Sequence, residues 1–447
     1  MAGREGPYRR DYNSTNYIHP NEENLWNLHK AMAYNSLGQP VLRTTSGALV
    51  TSNDAFGRLR VSSPYTLFDS FHRYQDNGKI SELRSGTATS VHDPNSSSIL
   101  LTIGTALGDK VYRESNRVFA YQPGKALSIL ETFVMNPAKT GLRQRYGYFD
   151  TNNGIFLQIE NDEVAFCIRS TSQSGTPQIV EKVVQANWNI DPLNGTGTST
   201  RTLNLTVAQI MFIDIEWLGV GSVRVGFVID GEFVPVHTFH HANITGNTTT
   251  YMGTACLPVR CEIENIAATA SSSSLRVICA TILSEGGYEL KGRARAAGHE
   301  LSAPRTNTNQ QTEYRPVLSI RLKADRLGAI VIPKNFSIAP VVAKNYSYRL
   351  LNGAITSGGE WVSAGTDSSV EYNLTATDIT NGSILEQGYI IATNQSGAAV
   401  ALQDYPFKFQ LERNSLTTPA TRYEFVIAIA CTDAGSTVSS VNWEEIT

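Results

Sequence analysis

Charge is scarce in this 447-residue chain: Asp, Glu, Lys and Arg together make up 17% of it, against about a quarter in an ordinary globular protein. With a net charge of −3 there is no whole-chain positive field, which argues against nucleic acid as a main partner and against adsorption to an anionic membrane. Long apolar runs are missing as well, so membrane insertion is not indicated, and the opening MAGREGPYRRDYNSTNYIHP lacks the apolar core of a secretion signal. Cysteines number five, an odd count without paired CxxC spacing, which speaks against zinc and dithiol sites. We expect Cys167, Cys256, Cys261, Cys279 and Cys431 to be buried, reduced thiols. Cys431 continues the apolar alternation of Tyr423, Phe425, Ile427 and Ile429 and so belongs to a core. Asn-x-Ser/Thr sequons, as at Asn243 and Asn373, follow from the abundance of those residues and are read as unmodified.

What remains is rich in Ser, Thr, Asn and Gly and nearly devoid of helix-length periodicity, the composition of turn-rich β architecture. Val223–Ile229, Asp230-Gly231 and Glu232–Phe239 spell a two-residue hairpin, because Asp-Gly supplies the positive φ angles that match strand twist. Tyr146–Phe149 and Ile155–Ile159, joined by a turn ending in Asn153-Gly154, spell another. Residues 66–290 therefore read as a central jelly-roll-like β-sandwich. Segment 291–313 loses apolar periodicity and reads as a linker. From 314 to 447 alternation returns at Leu318, Ile320 and Leu322 and at Phe407, Phe409 and Leu411. Further strand-like runs at 328–332, 384–392 and 423–431 make this a second, smaller β-sandwich. The fold class is all-β.

Ahead of both lies an N-terminal docking arm, residues 1–65. Within it, 22–37 is the best helix candidate, with Asn21 as cap, Glu22 and Glu23 in the first turn, Leu25, Leu28 and Met32 on one face, and Trp26 beside it. So short a helix has too little area to stand alone, so its apolar face is expected to dock, making these four residues interface candidates.

Several residues invite chemistry. His237, His240 and His241 resemble a metal set, but on a strand His237 and His241 would sit about 13 Å apart with His240 on the other face, so hydrogen bonding at an edge or subunit contact is expected and no metal is assigned. Asp214, Glu216 and Trp217 are similar to the carboxylate strands of sandwich-fold glycoside hydrolases, yet two alternating carboxylates fall short of the acid and nucleophile pair that such catalysis needs. These three and Trp361 stand as glycan-contact candidates. Gly219, Gly221 and Gly226 lack dinucleotide spacing, and Pro123-Gly124-Lys125 is no phosphate loop, so no cofactor is expected. Arg58 with Arg60, and Arg143 with Arg145, place guanidinium pairs on strand faces suited to bidentate carboxylate contacts at subunit interfaces. Arg293, Arg295 and Arg305 in the expected linker pose the same choice between a contact and a solvated surface.

Four stretches, FGRLRVSSPYTLFDS at 56–70, YQPGKALSILETFVMNPAKTGLRQRYGYFD at 121–150, IEWLGVGSVRVGFVIDGEFVPVHTFHHAN at 215–243 and SEGGYEL at 284–290, resemble virion structural proteins of tailed phages, marine and cyanobacterial ones especially. In the central region the strand rhythm is similar to concanavalin-like and laminin-G-like jelly rolls. The resemblance implies a non-enzymatic tail, baseplate, neck or fibre component, made in the host cytoplasm and carried on the particle. It would be a homo-oligomer, a trimer being favoured, meeting other virion proteins and a host surface glycan. Alternatives are a capsid decoration or head-fibre protein, a carbohydrate-binding adhesin, and a glycan depolymerase.

Overall fold

The computed structural model describes residues 32–34, 40–42, 63–307, 313–391, 398–401 and 409–446. The chain divides into two compact units, Met1–Ser63 and Pro64–Thr447. In the first, Met32–Tyr34 pairs antiparallel with Pro40–Leu42. This corrects the expected helix at Met32: an isolated short helix gains little from its few internal hydrogen bonds, and here Pro40–Leu42, close in sequence, supplies a pairing partner. The rest of that candidate helix, with Leu25, Trp26 and Leu28, lies outside the described residues, as do Arg58 and Arg60.

The second unit begins with a sandwich of two antiparallel sheets. Its seven-stranded sheet runs in the order Gln178–Val184, Glu163–Ser170, Gly154–Glu160, Leu142–Phe149, Val259–Asn265, Lys110–Ser115 and Ile80–Ser85. Facing it, the eight-stranded sheet runs Glu232–Phe239, Val223–Ile229, Gln209–Ile215, Ala126–Val134, Ser273–Glu285, Ser98–Ile103 and Thr89–Asp93, and Tyr65–Phe71 also pairs with Ser273–Glu285. The chain passes repeatedly from one sheet to the other, which gives the jelly-roll character. Both expected hairpins form, and Asp230 and Gly231 take the positive φ angles of 54° and 79° that the tight turn requires. Alternate residues of the two sheets fill a common core, where Phe133 stacks on Tyr146 at 4.7 Å and Phe166 meets Trp188 at 5.3 Å.

Beyond Leu290 a second sandwich is built. A six-stranded sheet centred on Arg315–Leu322, Glu424–Cys431 and Tyr346–Ser357 packs on a five-stranded sheet centred on Gly435–Ile446 and Ile330–Pro340. The segment expected to be a linker belongs to it: Arg293–Gly298 and Arg305–Asn307 both pair with Gly435–Ile446. An edge strand needs only main-chain bonds along one side, so it forms without the apolar alternation that marks a half-buried strand. The alternation at 409–412 also misled. Phe409–Glu412 is irregular backbone, with Gln410 buried and donating to the Val118 carbonyl, while Phe407 and Lys408 lie outside the described residues. Cys431 is buried in the second core as expected, but Cys279 is exposed on the solvent side of its strand.

Polar groups also enter the first core. Glu131 points inward between Ile129 and Phe133, is 0% exposed, and has no hydrogen-bond partner on either carboxylate oxygen. It borders a cavity of about 20 Å³ together with Ser70, Arg113, Tyr146 and Cys261. Arg113 pairs with Glu82 at 2.5 Å and with Asp76 at 2.6 Å, and Asp76 lies 3.5 Å from the buried ring of His72.

Candidate functional site

On the outer face of the seven-stranded sheet, the period-two geometry places charged residues of adjacent strands side by side. Leu142, Gln144, Tyr146 and Tyr148 face the core, so Arg143 and Arg145 project outward. The register sets Arg145 opposite Glu262 and Arg143 opposite Glu264. Arg143 donates to Glu264 at 2.7 Å, and Arg145 donates to Gln158 at 2.7 Å and to Glu262 at 3.3 Å. The carboxylate contacts expected of these arginines are thus made within the chain.

The lattice continues in one direction. Arg260 bridges Glu262 and Glu114, with Nε 2.8 Å from Glu262 Oε1 and Nη1 2.8 Å from Glu114 Oε2. Glu114 then takes Arg413 Nη2 at 3.2 Å and the Ser415 hydroxyl, both from the second sandwich. Arg145, Glu262, Arg260, Glu114 and Arg413 are each no more than 7% exposed. Burial by itself would raise the Glu262 carboxyl, but Arg260, Arg145 and Arg169 outweigh it and hold the group below its usual range. The guanidiniums of Arg145, Arg169 and Arg260 also lie over the Phe149 and Phe156 rings at 5.1 to 5.7 Å.

Around this chain of ion pairs the two sandwiches meet closely. Arg117 donates through Nε and Nη2 to Glu412 Oε1, at 2.8 and 2.6 Å. The Arg413 amide bonds to the Asn116 carbonyl at 2.9 Å, and its Nη1 reaches the Ser115 carbonyl at 2.7 Å. Val118, Ile330 and Ile332 form a buried apolar plug, with Ala120, Cys256, Leu290 and Ile446 against it. Of these ion pairs, Glu114–Arg413 and Arg117–Glu412 cross from one sandwich to the other, while Arg145–Glu262, Arg260–Glu262 and Arg260–Glu114 lie within the first sheet.

The other candidates are scattered. Asp214 sits on the outer face of the eight-stranded sheet, opposite Ser128 and Arg224. Burial raises its carboxyl, while a hydrogen bond from Ser128 and the charge of Arg224 pull the other way. Glu216 is exposed beyond the strand end, and Trp217 packs edge-on against Tyr121 at 6.3 Å, away from Asp214. Trp361 belongs to the second sandwich, where the Arg321 guanidinium covers its ring at 3.7 Å. Nor do the histidines converge. His237 accepts from the Asn189 amide, His240 meets Ser222, and His241 lies between the Gly221 carbonyl at 2.7 Å and Glu181 at 2.8 Å, stacked on Tyr251. Among the described residues no group of three or more His, Cys, Asp or Glu is placed to hold a metal ion. Of the expected linker arginines, Arg293 and Arg295 pair with Asp367 at 3.0 and 2.7 Å, and Arg305 donates to the Ala376 carbonyl.

Sequence reasoning missed Glu114, Arg260, Glu262 and Arg413. For two of them a signal existed: Arg260 and Glu262, together with Glu264, alternate with Cys261 and Ile263, which is a charged strand face written at period two. Arg413 carries no such mark.

No family model matches the chain, and no curated protein matches it. Among solved structures it is similar to the CBM2 module of the evolved Dit of Lactobacillus casei BL23 phage J-1, at 8% identity over 52% of this chain and 100% of that one, with a TM-score of 0.34. It is also similar to the Emp47p carbohydrate recognition domain, at 9% identity over 52% and 98% with a TM-score of 0.28. A third is the carbohydrate esterase vb_24B_21 of Shiga toxin-encoding bacteriophage phi24B, at 11% identity over 51% and 100% with a TM-score of 0.29. Scores of this size do not separate one β-sandwich from another.

Proposed function

We propose that this chain is a non-enzymatic structural component of a tailed-phage virion, a tail, neck, baseplate or fibre part that presents two β-sandwiches as one rigid body. The observation that supports the reading most is the junction of the two sandwiches, where Glu114 pairs with Arg413 and Arg117 with Glu412 across it and Arg413 also reaches the Ser115 carbonyl. A rigid two-sandwich body suits a part that must hold its shape inside an assembly. Asp214 lies on the outer face of its sheet while Trp217 packs on Tyr121 against the core, so the two are not gathered at one point as a carboxylate and a sugar-stacking ring, which favours the non-enzymatic reading. In this reading the N-terminal unit anchors the body to the particle and the body acts as a homo-oligomer, a trimer being favoured for an appendage. Gold-conjugated antibody against the central sandwich, applied to purified particles, tests it. Gold confined to tail or neck is the expected result. Gold over the head would make the chain a decoration protein, and unlabelled particles with accessible epitopes would refute an exposed virion role.

A further inference from the structure

Between the two sandwiches lies a cleft of about 880 Å³, a volume within the range that encloses a compact organic ligand. One wall is the strand Tyr65–Phe71 with the neighbouring Lys79 and Arg117, and the other comes from the strands Tyr346–Ser357 and Asp378–Ile390 and the stretch around Glu412 and Tyr423. At this point the second wall is irregular. The pairing register shifts between Asn352 and Ala354, and Gly353, Asn381 and Gly382 take positive φ angles of 74°, 59° and 90°. The irregularity brings Asn352, Asn381 and Ser383 to the cleft.

Two features of the lining bear on what fits there. The charges on the walls are already matched, Arg117 to Glu412 and Lys79 to Asp69, two cations against two anions. An ionic ligand would have to compete with these pairs, whereas a neutral one need not. The uncharged groups are in a different position. The side chains of Thr66, Asn352, Asn381, Ser383 and the Tyr423 hydroxyl make no hydrogen bond to any described residue, so donors and acceptors stand open beside the half-buried Tyr423 ring. Amides and hydroxyls that match hydroxyl groups, beside a partly exposed aromatic face that covers a C–H patch, are the recognition chemistry of a neutral sugar.

We infer that the cleft between the sandwiches binds a neutral oligosaccharide, with the Asn352 and Asn381 amides, Ser383 and Tyr423 as its contacts. This site is distinct from Asp214 and Trp217. It goes beyond the virion reading and stands independently of it: sugar binding is read on the purified chain, and presence on particles is read by labelling.

The test uses the full-length chain and an array of tetrasaccharides, neutral ones built from glucose, galactose, mannose and N-acetylglucosamine alongside uronic-acid and sialylated ones, followed by calorimetric titration of the strongest. A neutral tetrasaccharide is expected to bind, with affinity falling about tenfold or more in Asn381→Ala and in Tyr423→Ala. Asp214→Asn is expected to bind as well as the parent. Asn381 is exposed but takes a positive φ that Ala adopts with strain, so Asn381→Gly, which removes the amide and keeps that conformation, is titrated beside Asn381→Ala and should lose the sugar equally, with thermal unfolding recorded for both. The proposal is overturned if no neutral sugar binds, if acidic sugars bind better, or if Asp214→Asn weakens binding while Asn381→Ala does not. A cleft that takes an extended peptide instead would leave every sugar titration flat, which also overturns it.

Discussion

Replacing Glu131 by Gln should make this protein more stable at neutral pH and leave it unchanged in acid. The carboxyl is 0% exposed, between Ile129 and Phe133, and neither oxygen has a hydrogen-bond partner. Burial raises it well above the usual glutamate value. In the unfolded chain the group ionises near the ordinary value of about 4.3. Below that pH both states hold the proton and Glu131 contributes no pH dependence. Above it the unfolded chain releases the proton and the folded one keeps it, so stability falls by about 1.4 kcal/mol per pH unit for as long as the folded carboxyl stays neutral. Gln copies the neutral carboxyl in shape and cannot ionise. The parent and Glu131→Gln should therefore unfold alike at pH 4, and a gap should open as pH rises above the ordinary carboxyl range, widening by at most about 1.4 kcal/mol per pH unit. Urea midpoints at each pH, with unchanged slopes, measure this. Parallel curves for the two proteins, or a Gln variant weaker at every pH, would refute the reasoning.

His72 should act in the opposite sense: burial holds its ring at about 4, so the unfolded chain binds the extra proton first as pH falls from 6.5 towards 4, and stability drops by roughly 3 kcal/mol over that window. His72→Phe should flatten that acid slope in the same urea series. At the junction, Arg413→Ala leaves Glu114 buried with one partner fewer and should cost about 3 kcal/mol or more, splitting a single calorimetric transition into two as the sandwiches uncouple. Arg413→Lys, which keeps the charge and loses the fork, should recover only part of this. Finally, Gly147→Ala should destabilise by about 1 to 3 kcal/mol in denaturant titration, because a Cβ there would stand 2.4 Å from the Ile155 carbonyl oxygen and 2.7 Å from the Phe156 Cα, backbone atoms of the paired strand.

Much of the fold was legible because strands and tight turns write themselves at short range. Asp230-Gly231 fixed one hairpin register, and the buried positions Phe425 to Cys431 follow from a continuous apolar run. What escaped depends on partners far away in sequence. Arg293–Gly298 is a strand only because Gly435–Ile446 lies beside it, and its own residues have no alternation to announce it. Phe409 and Leu411 alternate like a strand, but the contacts of Gln410 with Val118 and of Glu412 with Arg117 pull that stretch into the junction. The polar lattice divides the same way. Arg143 and Arg145 were visible as a charged pair on a strand face, but that their counter-charges are Glu264 and Glu262, more than a hundred residues on, is set by the order of strands in the sheet. The carboxylates Asp214 and Glu216 looked like a site because spacing along a strand is visible in sequence, while the direction of the Trp217 ring is not.

The most direct test of the proposed virion role is quantitative mass spectrometry of purified particles of a tailed phage carrying this coding sequence, with isotope-labelled peptides from both sandwiches. The account predicts peptides of both in equal amount, at several copies per particle and in a multiple of three. Particles that lack the chain, with the protein found only in the lysate, would contradict it.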